Sequence, residues 1–544
     1  MPDPWQKHFH KSLAEAGLAG LKTASSEDFM HISGKKVLAT LAGALLCSAL
    51  SASPAQSIDY KISGAWVVGF EHSNVVPRGY KGSDSFDAIQ RFRTQLQARA
   101  SESLSGTIEF EIGRTEWGKA ANGGALGADG KIVQVRFAYI DWMVPQTDAK
   151  VRMGLQTLML PGVLSKYGFG PIFGKEMAGV SVSSPLFKGE SVQSDLTFFW
   201  ARPYNDNSAQ EYTNVADSKT RWLDNLDCFA LMLPFHGDGW KLEPYAMYSL
   251  IGKYSMTGVT AAMGDTGIVA PRGGLTPVLG GGVPTGGNRG YTWLQGNELH
   301  KLDRDWGNGF WAGLVGQFDL TGTLRLGVEG AFGSVYLGEI KNYGGFGDKG
   351  RTLQMKRQGW YAGARLDYKA DWGVPGIIAW YGSGDDDNPY NGSERLPQFN
   401  TPWAVSSLGF GDPCFDEQTW KVLGHNPGGT AGVIAQIDKI SFVPDLTHLV
   451  RVGFYLGTNS SDMPGRIGMN WPNRADGPMA YLTTKDNAWE VNLVNTYKIY
   501  ENLTFQLEGA YVRLNLDKDT WGEGRHSNVY RDNYRVSCMF KYSF

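Results

Sequence analysis

Apolar and polar side chains alternate one for one along most of the chain from residue 58 onward. At the start of this pattern Ile58, Tyr60, Ile62, Trp66, Val68 and Phe70 share one face, and Asp59, Lys61, Ser63 and Glu71 share the other. At its end Tyr534, Val536, Cys538, Phe540, Tyr542 and Phe544 alternate with Arg535, Ser537, Lys541 and Ser543. A period of two is that of a β-strand with one apolar and one wet face. The same grammar recurs at DAIQRFRTQLQARA (87–100), LSGTIEFEIG (104–113), TLRLGVEGAFG (323–333) and LTFQLEGAY (503–511). It predicts 18 strands.

The connections sharpen this into an architecture. Tight turns such as PQTD (145–148), HGDG (236–239), VPDL (443–446) and YEN (500–502) alternate with long loops rich in Gly, Asn and Asp. The longest of these, about 253–307 and 385–430, are expected to lie outside the barrel with the rest. Short turns at one end and long loops at the other describe an all-β fold, a transmembrane antiparallel up-and-down β-barrel of about 16–18 strands. A secreted soluble sandwich or propeller also needs many alternating strands. It does not require that asymmetry, and it would leave an aromatic tail and a bare edge at residue 544. In lipid every backbone polar group must be paired, so the last strand is expected to close on the first.

Composition changes the picture at the N-terminus. VLATLAGALLCSAL (37–50) follows Lys35 and Lys36 and precedes SASPAQS, the layout of a cleaved secretory signal peptide. An n-region normally begins a chain, and Met30 would be an ordinary start. Residues 1–29 therefore read as an over-long gene-model extension, 30–57 as the signal peptide and 58–544 as the barrel. That barrel carries 46 Lys and Arg against 50 Asp and Glu, too even a balance for a nucleic-acid partner. Cys228, Cys414 and Cys538 remain after the signal. Cys538 falls in the lipid-facing phase, so only Cys228 and Cys414, both near outer loops, are candidates to pair.

The signal peptide, the repeats of period two, the alternating turns and the terminal YSF resemble Gram-negative porins. QRFRTQLQ on the second strand and FAYIDWMVP (137–145) resemble the homotrimeric porin family of sulfate-reducing bacteria. The resemblance implies a water-filled channel in the cell outer membrane for passive diffusion of small hydrophilic solutes and ions. It also implies a homotrimer embedded in outer-membrane lipid, and a C-terminal signal at Phe540, Tyr542 and Phe544 read by the barrel-assembly machinery. By position TLMLPGVLSKYGFGPIFGKEMA (157–178) resembles the third loop of porins, which folds inward; it carries Lys166, Tyr167, Lys175 and Glu176.

Strand phase sends Arg91, Arg93, Arg99, Arg136, Lys150 and Arg152 inward, with Glu109 and Glu111 as counter-charges. A basic excess in a low-dielectric tube biases ion entry, so a modest anion preference is expected. Glu329 and Glu508 on later strands could offset it. Eighteen strands also fit a substrate-specific channel of the sugar type, which would need inward aromatics. No cofactor or metal is expected. Asp385, Asp386 and Asp387 in GSGDDDN (382–388) have calcium-type oxygens but read better as a solvated charge run. GGLTPVLGGGVPTGGNRG (273–290) lacks the Lys-Ser/Thr of a phosphate loop. His236 and His448 lie near the short-turn end, so nothing assembles an enzyme's catalytic set.

Overall fold

The computed structural model describes residues 58–75, 84–120, 123–127, 133–204, 225–252, 302–343, 350–399, 403–411, 422–466, 481–523 and 531–544. The extension, the signal peptide, the glycine-rich 273–290 and Cys414 lie outside the described residues.

The alternating segments form β1 (Asp59–Ser73), β2 (Ser85–Ser101), β3 (Leu104–Glu116), β4 (Gln134–Met143), β5 (Lys150–Pro161), β6 (Phe169–Lys188), β7 (Val192–Tyr204), β8 (Leu226–Met232), β9 (Phe235–Gly237) and β10 (Trp240–Gly252). There follow β11 (Trp306–Asp319), β12 (Leu324–Tyr343), β13 (Arg351–Tyr368), β14 (Val374–Gly382), β15 (Thr430–Val443), β16 (Leu446–Gly457), β17 (Asn487–Tyr500), β18 (Leu503–Asn515) and β19 (Asp532–Ser543). β8 and β9 are one strand of the wall, since each pairs with β7 on one side and β10 on the other. They part at Pro234, which has no N–H for the ladder. The wall is thus a closed antiparallel barrel of 18 strands in chain order, with β19 paired to β1.

The seam runs to the last residue. Gly64 N–H donates to the Phe544 carbonyl at 2.9 Å, and Phe544 N–H donates to the Gly64 carbonyl at 3.0 Å. A Cβ at Gly64 would stand 2.6 Å from Cζ of the Phe544 ring and 2.4 Å from the Arg93 carbonyl. Glycine is what lets ring and seam coexist.

The two faces of the wall differ. Trp66, Phe198, Phe310, Trp360, Ile377, Val433, Trp489 and Val536 are exposed on the outside. Aromatics also crowd the short-turn end, where Phe540, Tyr542 and Phe544 are 40%, 42% and 45% exposed. Phe544 stacks on Phe92 and on Tyr542.

Among the described residues, two segments turn inward. β5 pairs with β4 only from Met143↔Lys150 to Ala138↔Leu155, yet β5 and β6 remain paired with each other as far as Pro161↔Phe169. The upper hairpin leaves the wall and crosses the interior. The second segment corrects the sequence reading, because residues 385–411 do not all lie outside the barrel. Trp403, Leu408 and Phe410 are fully buried, and Trp403 packs edge-on against Trp380, Tyr361 and Phe410. The cause is the apolar stretch WAVSSLGF (403–410), which the glycine- and aspartate-rich flanks obscure and which gains free energy by leaving water. Tyr361, Ile378, Trp380, Ile434 and Tyr455 on the inner wall complete this core.

Candidate functional site

The inward residues of β2 to β6 come together as ion pairs. Arg93 binds Glu111 on the next strand. Arg152 grips both oxygens of Asp141 at 2.6 and 2.8 Å, and Lys150 reaches the same carboxylate at 3.1 Å. Arg136 donates to Glu109 at 2.7 Å and also to Glu176 on the hairpin. Strict alternation would give Arg136 the phase of the exposed Ile140 and Trp142. The register resolves this: Glu109 faces Phe137 and Phe110 faces Val135, so Arg136 is the extra residue of a bulge. A bulge re-aims one side chain, and here it turns Arg136 to the side of Glu109. Arg91 is buried opposite Val67, and Arg99 stands opposite Asp59 near the short-turn end.

Around this stretch of wall six basic groups therefore face four acids, Glu109, Glu111, Asp141 and Glu176. Asp141 is the acid that sequence reading passed over; the signal available for it was its place directly opposite Arg152 across the tight β4–β5 turn. Partly exposed pairs of this kind contribute about 0–1 kcal/mol each to stability. Their larger effect is to flatten the potential along the wall.

The hairpin is held by the far side of the barrel. Glu329 on β12 accepts from Val163 N–H at 2.5 Å, from Leu164 N–H at 3.2 Å and from the Tyr361 hydroxyl at 2.7 Å. Lys166 N–H donates to the Ala404 carbonyl, Ala404 N–H to Ser165 Oγ, and Phe399 N–H to the Ile172 carbonyl, so the two inward segments brace each other. Lys166 Nζ lies over the Tyr167 ring at 4.8 Å, and Lys175 is exposed. A second carboxylate repeats the device. Glu490 on β17 accepts from Leu408 N–H at 2.8 Å and from the Tyr455 hydroxyl at 2.7 Å, while Asn492 takes Ser407 N–H at 3.1 Å and Arg535 holds the Ser407 carbonyl. Glu508 lies 3.9 Å from Arg535. Neither Glu329 nor Glu508 is free wall charge; one anchors a loop and the other is paired.

The three aspartates of GSGDDDN are engaged by the protein itself. Asp385 is buried and accepts from Ser393 and Tyr481, Asp386 caps the Asn388 turn, and Asp387 binds Arg466 at 2.9 Å. Among the described residues no group of three or more His, Cys, Asp and Glu is arranged to hold a metal. Cys228 is buried beside Ser249, and Cys538 is a free thiol.

No protein-family model matches this chain, and no curated protein matches it by sequence. Among solved structures it is similar to OprD of Pseudomonas aeruginosa, described as an outer membrane protein, at 13% identity over 91% of this chain and 98% of that one with TM-score 0.43. It is likewise similar to OccK11 (OpdR) of the same organism, at 11% identity over 89% and 96% with TM-score 0.43, and to its OccK8 (OprE), at 11% over 89% and 98% with TM-score 0.45.

Proposed function

We propose that the protein is an outer-membrane channel through which small hydrophilic solutes and ions diffuse passively. The observation that carries this reading is the inversion of a soluble protein's layers: an 18-strand closed wall, apolar outside, with ionic side chains on its inner face. Closure leaves no unpaired edge for lipid to meet, and large barrels leave an aqueous lumen. The pore lining is Arg91, Arg93, Arg99, Glu109, Glu111, Arg136, Lys150 and Arg152. The upper β5–β6 hairpin, with Lys166, Tyr167, Lys175 and Glu176, narrows the passage.

The signal-peptide layout of residues 30–57, and the resemblance of QRFRTQLQ and FAYIDWMVP to trimeric porins of sulfate-reducing bacteria, carry three further elements of the proposal. The chain is exported with cleavage after Ser57, assembles as a homotrimer in outer-membrane lipid, and offers Phe540, Tyr542 and Phe544 to the barrel-assembly machinery. The decisive experiment is planar-bilayer recording on purified protein. Stepwise conductance, in groups of three for a trimer, is expected. A protein that inserts and never conducts would overturn the reading.

A further inference from the structure

The inward hairpin divides the interior. On one side of it, against the inner wall from β5 to β11, lies a pocket of about 600 Å³ that takes in Lys150, Arg152 and Gln156 at one end and Lys241, Glu243 and Gln317 at the other. Phe199, in the lining, and Tyr245 and Val315, higher on neighbouring strands, are buried, so the apolar core bounds the pocket on that side.

The charges in this chamber answer one another. Lys150 and Arg152 share Asp141, and Lys241 sits 2.7 Å from Glu243. Between the pairs is a row of neutral hydrogen-bonding groups: Ser181, which donates to Gln156 at 3.1 Å, and Ser183 with Thr197, 3.2 Å apart. The Gln317 side chain makes no hydrogen bond to another described residue. Leu158, Met159, Pro161, Phe199, Met232 and Pro234 give the row a broad apolar flank.

We propose that this chamber, which shares Lys150 and Arg152 with the pore lining, binds a neutral polyhydroxylated solute of mono- or disaccharide size. Vicinal hydroxyls both donate and accept, which matches the hydroxyls, amides and already paired ions of the lining, while the C–H faces of a sugar ring suit its apolar flank. An anion would meet Glu243 and find Lys150 and Arg152 already sharing Asp141, with only one cation uncompensated, and an apolar ligand would strand the polar row at a cost. The volume is that of a small-molecule site, roughly 300–1,000 Å³. The inference rests on the channel reading and names the solute class for it.

Single-channel recording in KCl tests both, with sucrose added first to one side and then to the other. The expected result is a saturable sucrose block of the KCl current. Ser183→Ala combined with Gln317→Leu should raise the half-blocking concentration about tenfold, as loss of two hydrogen bonds implies, with KCl conductance unchanged. Thr197→Val, which removes one hydroxyl at constant shape, gives a smaller shift in the same direction and covers the case in which the double variant fails to fold. A channel that conducts KCl but shows no saturable sucrose block, or is blocked by gluconate instead, overturns the inference and leaves the channel standing. Absence of any conductance would overturn both.

Discussion

Glu329 holds Leu164 across the barrel: a carboxylate on β12 takes the backbone N–H of a hairpin tip 165 residues earlier in the chain, at 3.2 Å. Glu329→Ala would leave the Val163 and Leu164 N–H groups and the Tyr361 hydroxyl without their acceptor. Each buried donor so stranded costs about 1–3 kcal/mol, enough to release the tip. Single-channel recording should find larger and noisier steps than wild type. Unchanged steps would mean that the hairpin does not limit flow.

Gly64 and Phe544 give a second test, at the seam. Gly64→Val puts side-chain atoms where the Phe544 ring and the Arg93 carbonyl already stand. Overpacking of this kind costs about 1–3 kcal/mol, and here it opens the joint that closes the barrel. The temperature at which gel mobility shifts from folded to unfolded should fall. Phe544→Ala in the same background should restore part of the loss, since it removes one of the two clashing partners.

Asp141 predicts selectivity. With Arg93, Arg136, Lys150 and Arg152 all paired to acids, the native channel should show only weak anion preference at low salt. Asp141→Asn frees two cations at once and should strengthen it. Reversal potentials under a salt gradient measure the change, which should vanish near 1 M salt, where the Debye length is about 3 Å. Cation selectivity in the native channel would contradict the account.

Glu394, in the segment after β14, links the outer end to pH. Burial, with Asp385 and Asp386 nearby, pushes its carboxyl up to about 7 from the usual 4.5. Because the folded loop holds the proton more tightly than the unfolded one, its stability is greatest below about 4.5, falls as pH rises to about 7 and is flat above. The difference is on the order of 3 kcal/mol. Hydrogen exchange at residues 385–395, corrected for intrinsic rates, should be slower at pH 5 than at pH 8. Glu394→Gln should abolish the dependence while keeping an acceptor for the Asp386 N–H that now bonds Glu394 at 3.0 Å.

The wall was legible in the sequence because alternation persists wherever one face meets water. Tight turns fell where they were read: Val443 pairs with Leu446, and Tyr500 with Leu503. The interior was less legible, for the same physical reason. Where an inward loop covers the wall both faces are apolar, as at Ile377, Ile378, Ala379 and Trp380, and the pattern no longer separates inside from outside. Glu329 and Glu490, single acids in otherwise apolar or small-residue runs, were the marks of those loops, and charge counting read Glu329 only as a possible offset. The Arg136 bulge could not be found from one strand, since it exists only in the register with β3.

The bracing of residues 403–411 also sets an order of events in time. Leu408 and Ser407 depend on Glu490 and Asn492 of β17 and on Arg535 of β19, strands that lie 82 to 128 residues further along the chain. No partly built wall offers those groups, so the segment stays unsatisfied until the final strands are in place and the ring is shut. Quenching of Trp403 should therefore lag behind ring closure during assembly. The last step in making this protein is then the filling of an already finished barrel.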